Sequence, residues 1–159
     1  MKHVEPIQDF YPPEFSHCYG CGRLNDHGLQ IESRWYGEQA IALFAPEPHH
    51  IAVPGFVYGG LIASLIDCHA MATAAAASYA AEGRAPGSLP DFRFVTAALN
   101  IDFLAPTPLG EILELRARPA ELGRRKVVVA VELWAADQLR VRGQAVAVRM
   151  PDTMAQPPG

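Results

Sequence analysis

From Gly59 to Ala81 the chain runs without proline and is dominated by Ala, Leu, Ile and Met. A stretch apolar on nearly every face is the pattern of a helix enclosed by other structure, so the rest of the chain must supply the enclosure. Asp67 sits inside it. A carboxylate held mid-helix in apolar surroundings loses much of its solvation unless it is paired or protonated. Its same-face neighbours Ala63, Ser64, Ala70 and Met71 include no cation. Asp67 therefore either faces a cleft or is shifted toward its protonated form, and both conditions suit a general base. A hydrogen bond to Ser64 or to a loop is the plainer alternative.

The helix is entered through Gly59-Gly60, whose missing side chains let a ligand approach the unpaired N–H groups of the first turn. Such an end can hold an oxyanion. Gly60 and Asp67 are nearly two turns apart, about 10 Å along the axis. One reacting carbonyl must lie roughly 3 Å from its oxyanion donors and close to the base. A second, antiparallel copy of the helix would bring Gly60 of one chain near Asp67 of the other, so a dimer with interfacial sites is expected.

With 159 residues, 50% of them hydrophobic, the chain has material for one domain and a sizeable core. A formal charge of -4 argues against nucleic acid or an anionic membrane as partner. Residues 1–11 carry Lys2, His3, Glu5, Pro6 and Asp9 without an apolar run, so no signal peptide is read there. Asp67, His69 and Ser78 make the long helix a poor membrane span. A soluble, cytoplasmic protein is expected. Three cysteines, an odd number, fit reduced thiols. Cys18 and Cys21 form a lone Cys-x-x-Cys flanked by His17 and His27, four side chains from which a zinc site can be imagined. Structural zinc normally draws on two paired ligand clusters, so neither a metal nor a redox role is expected from this one.

Residues 1–27 read as a non-repetitive arm, punctuated by Pro6, Pro12 and Pro13 and pinned by Phe10, Tyr11 and Phe15. Leu29, Ile31, Ser33 and Trp35 then alternate with Gln30, Glu32, Arg34 and Tyr36, which predicts a strand. Gly37-Glu38 turns it into a second strand over 39–45, a hairpin. Prolines at 46, 48 and 54 mark a loop that contains His49 and His50, placed to face either solvent or a substrate. After the helix, residues 82–91 form a surface connection, and strands are predicted over 92–104, 111–119, 126–136 and 138–150. Residues 151–159 read as a disordered tail. The order β-β-α-β-β-β-β over 28–150 predicts an α+β domain: an antiparallel sheet whose apolar face only the one long helix can cover.

Four sequence patterns occur in a telling order: Cys18-Tyr19-Gly20-Cys21-Gly22 with Gly28-Leu29, Pro54-Gly55-Phe56-Val57-Tyr58-Gly59-Gly60 with Ile66-Asp67, Thr96-Ala97-Ala98-Leu99-Asn100-Ile101-Asp102-Phe103-Leu104-Ala105-Pro106, and Leu122-Gly123-Arg124-Arg125. Together they resemble the hotdog-fold acyl-CoA thioesterases, and more narrowly the phenylacetate-pathway type of the 4-hydroxybenzoyl-CoA thioesterase superfamily. The resemblance implies a sheet wrapped around a central helix, a homo-oligomer (a dimer, or a dimer of dimers giving a homotetramer), and hydrolysis of an acyl-CoA to free acid and coenzyme A without another cofactor.

By position, Asp67 falls at the family's catalytic carboxylate, acting as general base or nucleophile. Gly60, beside Gly59, falls at the oxyanion-holding amide, and Thr96 at the residue that orients the water. Tyr58 stands where the family has His, and Ala52 where it has a loop Asn. A phenol, which ionises only near pH ~10, cannot shuttle protons as an imidazole does, so Tyr58 would assist at the entrance or simply pack there. Leu61, Leu65, Met71 and Phe103 are expected to line the acyl space. Arg124, Arg125 and Lys126, with Arg84 and Arg93, are placed to meet coenzyme A phosphates. His69, about 200° round the helix from Asp67, reads as a packed histidine, and Cys68 as a buried small hydrophobe. Two rival functions stand beside hydrolysis. One is an acyl-CoA-binding protein without turnover; the other is an enoyl-thioester hydratase or dehydratase, which wants a His paired with a carboxylate.

Overall fold

The long apolar stretch is a single helix, α1 (Gly59–Ala81), in a computed structural model that describes residues 3–155. Six strands enclose it: β1 (Arg34–Trp35), β2 (Ala40–Phe44), β3 (Phe94–Phe103), β4 (Leu113–Leu122), β5 (Lys126–Ala135) and β6 (Gln138–Arg149). They form one antiparallel sheet in the order β1-β2-β4-β5-β6-β3. The period-two side-chain alternation of a strand puts Leu113, Leu115 and Ala117, then Val127, Val129, Val131 and Leu133, on the face that covers the helix, all buried. From α1, Leu61, Ile62, Leu65, Ile66 and Ala70 meet them. Burying one Leu or Ile in this way stabilises the fold by roughly 1.5–3 kcal/mol. Although α1 has the length and composition of a membrane span, 67% of its most apolar window is buried inside this wrap, which makes it a core helix.

β3 is an edge strand of ten residues, paired only with β6 among the described residues. Its register shifts between Thr96 and Ala98, a β-bulge at Ala97. Phe94 packs against the core before the bulge, and Leu99 and Ile101 do so after it.

The first predicted strand shrinks to Arg34–Trp35. Gln30 adopts a left-handed backbone (φ 53°), and the amides of Leu29 and Ile31 bond Tyr19 O (2.8 Å) and Gly20 O (3.1 Å) instead of a neighbouring strand. The arm takes that place. Ile7 N–H reaches Ser33 O at 2.7 Å, and Arg93 lies between the rings of Tyr11 (4.8 Å) and Phe15 (4.7 Å). In the expected tail, Asp152–Met154 is a 3-10 turn; the rest of the tail, 156–159, and the first two residues of the arm lie outside the described residues.

His69 is fully buried where arm, hairpin and helix meet. Its Nε2–H donates to Ala40 O (3.2 Å) and its Nδ1 accepts from Ser33 Oγ–H (2.8 Å), while Gln8 Nε2–H donates to Ser33 Oγ (3.2 Å). Each member accepts from one neighbour and donates to the next, which fixes the neutral imidazole. Burial holds its pKa down at about 4.

Candidate active site

Around α1 the burial follows a three-four rhythm: residues 61, 62, 65, 66, 69 and 70 are enclosed, while 60, 63, 64, 67, 68 and 71 are half-buried. Asp67 lies on this second face. Ser64 does not reach it, because Ser64 Oγ–H bonds back to Gly60 O at 2.9 Å. The partner of Asp67 is Thr96, whose hydroxyl donates to Asp67 Oδ1 in a short hydrogen bond from β3. Two residues 29 apart in sequence are thereby joined across the seam between helix and edge strand. Both stand on the wall of a cleft of about 420 Å³, within the usual range for small-molecule sites.

The cleft has a floor from α1 (Asp67, Cys68, Met71), one wall from β3 and the residues before it, and another from the arm, including His17, Cys18 and Cys21. Met150 and Met154 close it from the C-terminal side. In sequence His17 figures only among four side chains that could be imagined around a zinc ion, Met150 as a strand end and Met154 as tail; proximity through the fold is what brings them into the cleft. Of the apolar lining expected, Met71 is present. Leu61 and Leu65 are not part of this cleft: they belong to the core under the sheet, Leu65 with no exposed surface.

At the helix entrance the N–H groups of Gly59 and Gly60 have no acceptor among the described residues, whereas those of Leu61 and Ile62 bond Tyr58 O (3.1 and 3.3 Å). A side chain at Gly60 would run into the Tyr58 ring, and one at Gly59 would meet the Phe103 ring at 3.3 Å. Tyr58 (58% exposed) and Phe103 (55% exposed) therefore flank the free amides, while Gly60 does not reach the cleft of its own chain. The two halves of the predicted site lie apart within the single chain. His49 and His50 line a different depression, with Glu47 N–H donating to His50 Nδ1 at 2.9 Å.

Arg84 and Arg93 are engaged and correct the expectation of free cations there. Arg84 donates to Glu82 (2.9 Å), Ser88 O (2.8 Å) and Pro90 O, and Arg93 pairs with Asp91 at 2.9 Å. Arg124, Arg125 and Lys126 line an open depression that shares Met150 with the Asp67 cleft.

Cys68 departs from its reading as an inert apolar residue. Its sulfur lies 3.7 Å from Cys18 Sγ, and with Cys21 the three sulfurs fall within 4.8 Å of one another. Hydrogen bonds from the Cys21 and Cys68 thiols hold Cys18 well below the usual thiol range. Those same bonds, with burial, push Cys21 and Cys68 up.

The family model of the Thioesterase superfamily matches residues 54–141, more than half the chain. The chain belongs to the thioesterase superfamily. A thioesterase superfamily protein from Shewanella loihica, solved as a crystal structure, is 50% identical and superposes with a TM-score of 0.67 over 89% of this chain and 100% of that one. An acyl-coenzyme A thioesterase THEM4 from Xenopus laevis is 30% identical over 93% of this chain, which spans 60% of that relative's length. The fold also matches a Streptococcus mutans protein solved with acetyl CoA bound, at 19% identity and a TM-score of 0.61 over 76% of this chain and 88% of that one. Within this thioesterase superfamily chain, the matched segment contains Tyr58, Gly60, Asp67, Cys68 and Thr96; the arm with Cys18 and Cys21 precedes it.

Proposed function

We propose that this protein hydrolyses an acyl-CoA thioester, with Asp67 as general base or nucleophile, Thr96 orienting the carboxylate and its water, and the Gly60 amide with the helix dipole stabilising the oxyanion. The observation that carries the reading is the Asp67–Thr96 hydrogen bond on the wall of the cleft. The THEM4 relative and the acetyl CoA complex of the Streptococcus mutans protein support the substrate class. Three free thiols accord with a cytoplasmic setting.

Assembly completes the site. β3 offers a long edge with exposed Ala97, Ala98 and Phe103 and neither Lys nor Pro, the composition of an edge that another chain pairs with. An antiparallel copy joined there would bring its free Gly59 and Gly60 amides toward Asp67 of the first, so the functional unit is a dimer or a dimer of dimers. Arg124, Arg125 and Lys126 would take the phosphate end of coenzyme A. Light scattering on the eluting peak is expected to give at least twice the 17.3 kDa chain mass; a monomer that still hydrolyses would remove the shared site.

Tyr58 favours a second reading. It lacks the proton-carrying ring of its family counterpart and lies over Gly60, an arrangement that fits acyl-CoA binding without turnover. The hydratase alternative loses ground, since His69 is sealed in the core by Ser33 and Ala40 and offers Asp67 no partner. Free-thiol release from short, medium, branched and aromatic acyl-CoAs tests the proposal. Release by the wild type supports it. Binding without release selects the second reading, and conversion of an enoyl-CoA without thiol release would restore the third.

A further inference from the structure

We infer that Cys18, Cys21 and Cys68 form a binding site for a thiophilic metal ion, zinc foremost, which clips the N-terminal arm to the central helix beside Asp67. Zinc held by thiolates at ~2.3 Å in tetrahedral geometry sets its sulfurs ~3.8 Å apart. Cys18 and Cys68 stand at 3.7 Å, and all three sulfurs converge within 4.8 Å. A disulfide would join two of them and leave the third unused; one metal ion uses all three.

The backbone is shaped for this convergence. Cys18-Tyr19-Gly20-Cys21-Gly22 is a tight turn closed by Gly22 N–H to Cys18 O at 2.7 Å, with Gly20 N–H donating to Cys18 Sγ at 3.4 Å. A Cβ at Gly22 would lie 2.5 Å from Cys18 N, which no side chain tolerates. A Cβ at Gly20 would lie 2.3 Å from the Cys68 sulfur, well inside van der Waals contact. Both glycines are thus needed for the turn to seat its sulfurs against the helix, and the third ligand comes from a residue far along the chain that no spacing pattern would pair with the first two. Binding releases the thiol protons to solvent, and the three cysteines line the same cleft as His17 and Asp67.

The site is independent of hydrolysis and is tested by metal content. Full-length protein, reduced, given zinc and dialysed, is expected to retain one zinc per chain. Its three thiols should resist an aromatic disulfide reagent until a chelator is added, and cobalt in place of zinc should produce a thiolate-to-metal charge-transfer band. Cys68→Ser should lose most of the bound metal, and Cys18→Ser, on the exposed turn, should do the same if the helix variant does not fold. Asp67→Ala retains all three sulfurs and is expected to keep its zinc whatever happens to hydrolysis. Thiols that react freely in the presence of zinc, a disulfide that forms with no metal uptake after its reduction, or zinc retention by both cysteine variants equal to that of the wild type would each overturn the inference.

Discussion

Asp67→Ala is expected to lower kcat/KM for acyl-CoA hydrolysis by about 10³-fold, the middle of the range for a positioned general base. The loss should fall on kcat and leave KM nearly unchanged, because the carboxylate acts on the reacting centre while the bulk of the substrate is held elsewhere. Asp67→Asn separates two roles. Its amide oxygen can still accept the Thr96 hydrogen bond but cannot take a proton, so a loss close to that of Asp67→Ala would assign proton transfer or nucleophilic attack to the carboxylate. Thr96→Val keeps the volume and removes the donor; a much smaller effect on kcat is expected from it. Stopped assays of free coenzyme A over a substrate series, with light scattering to verify assembly of each variant, check all three. Full activity in Asp67→Ala would sink the proposed mechanism.

Between pH 7 and pH 4 the fold should lose up to ~3 kcal/mol of stability through His69 alone. The imidazole is buried neutral with its pKa held at about 4, against 6.5 for an ordinary histidine. A depressed folded-state pKa means that the unfolded chain binds the proton more tightly. The contribution is whole above pH ~6.5, declines as the pH falls, and is exhausted near pH 4. For a chain of this size that corresponds to a fall in Tm of roughly 6–12 °C. Other groups titrate over the same range, so the measurement is a difference: thermal melts of wild type and His69→Gln across the pH series. The wild type should show the steeper decline, and parallel curves would refute the assignment.

The helix bounds were legible because a stretch apolar on all sides for six turns must be an enclosed helix or a membrane span, Asp67 and His69 weigh against the span, and the Gly-Gly entry marks the start. The four later strands were legible for a similar reason, since valine-rich alternation between tight turns leaves little else. What could not be read was where the arm goes. Ile31 and Ser33 are buried as the alternating pattern demands, but their backbone partners come from residues before residue 28, so a correct burial pattern was attached to the wrong neighbour. The same non-local fact hid Cys68 from Cys18 and set His17 and Met154 into the cleft. Leu61 and Leu65 were misplaced for a simpler reason. Any apolar helical residue near a carboxylate suits a pocket or a core equally well on paper, and only the direction of the sheet decides.

The bulge at Ala97 divides β3 into two runs of opposite phase. In an unbroken strand Thr96 shares a face with Ala98 and Asn100, so pointing the hydroxyl at the helix would turn Leu99 and Ile101 outward. One residue of slack lets Thr96 and Leu99 both look inward, the first to the carboxylate and the second to the core. Chemistry and packing are therefore set by separate segments of the same strand, and a lineage can retune one without re-registering the other. Removing Ala97 would force the strand to choose between them.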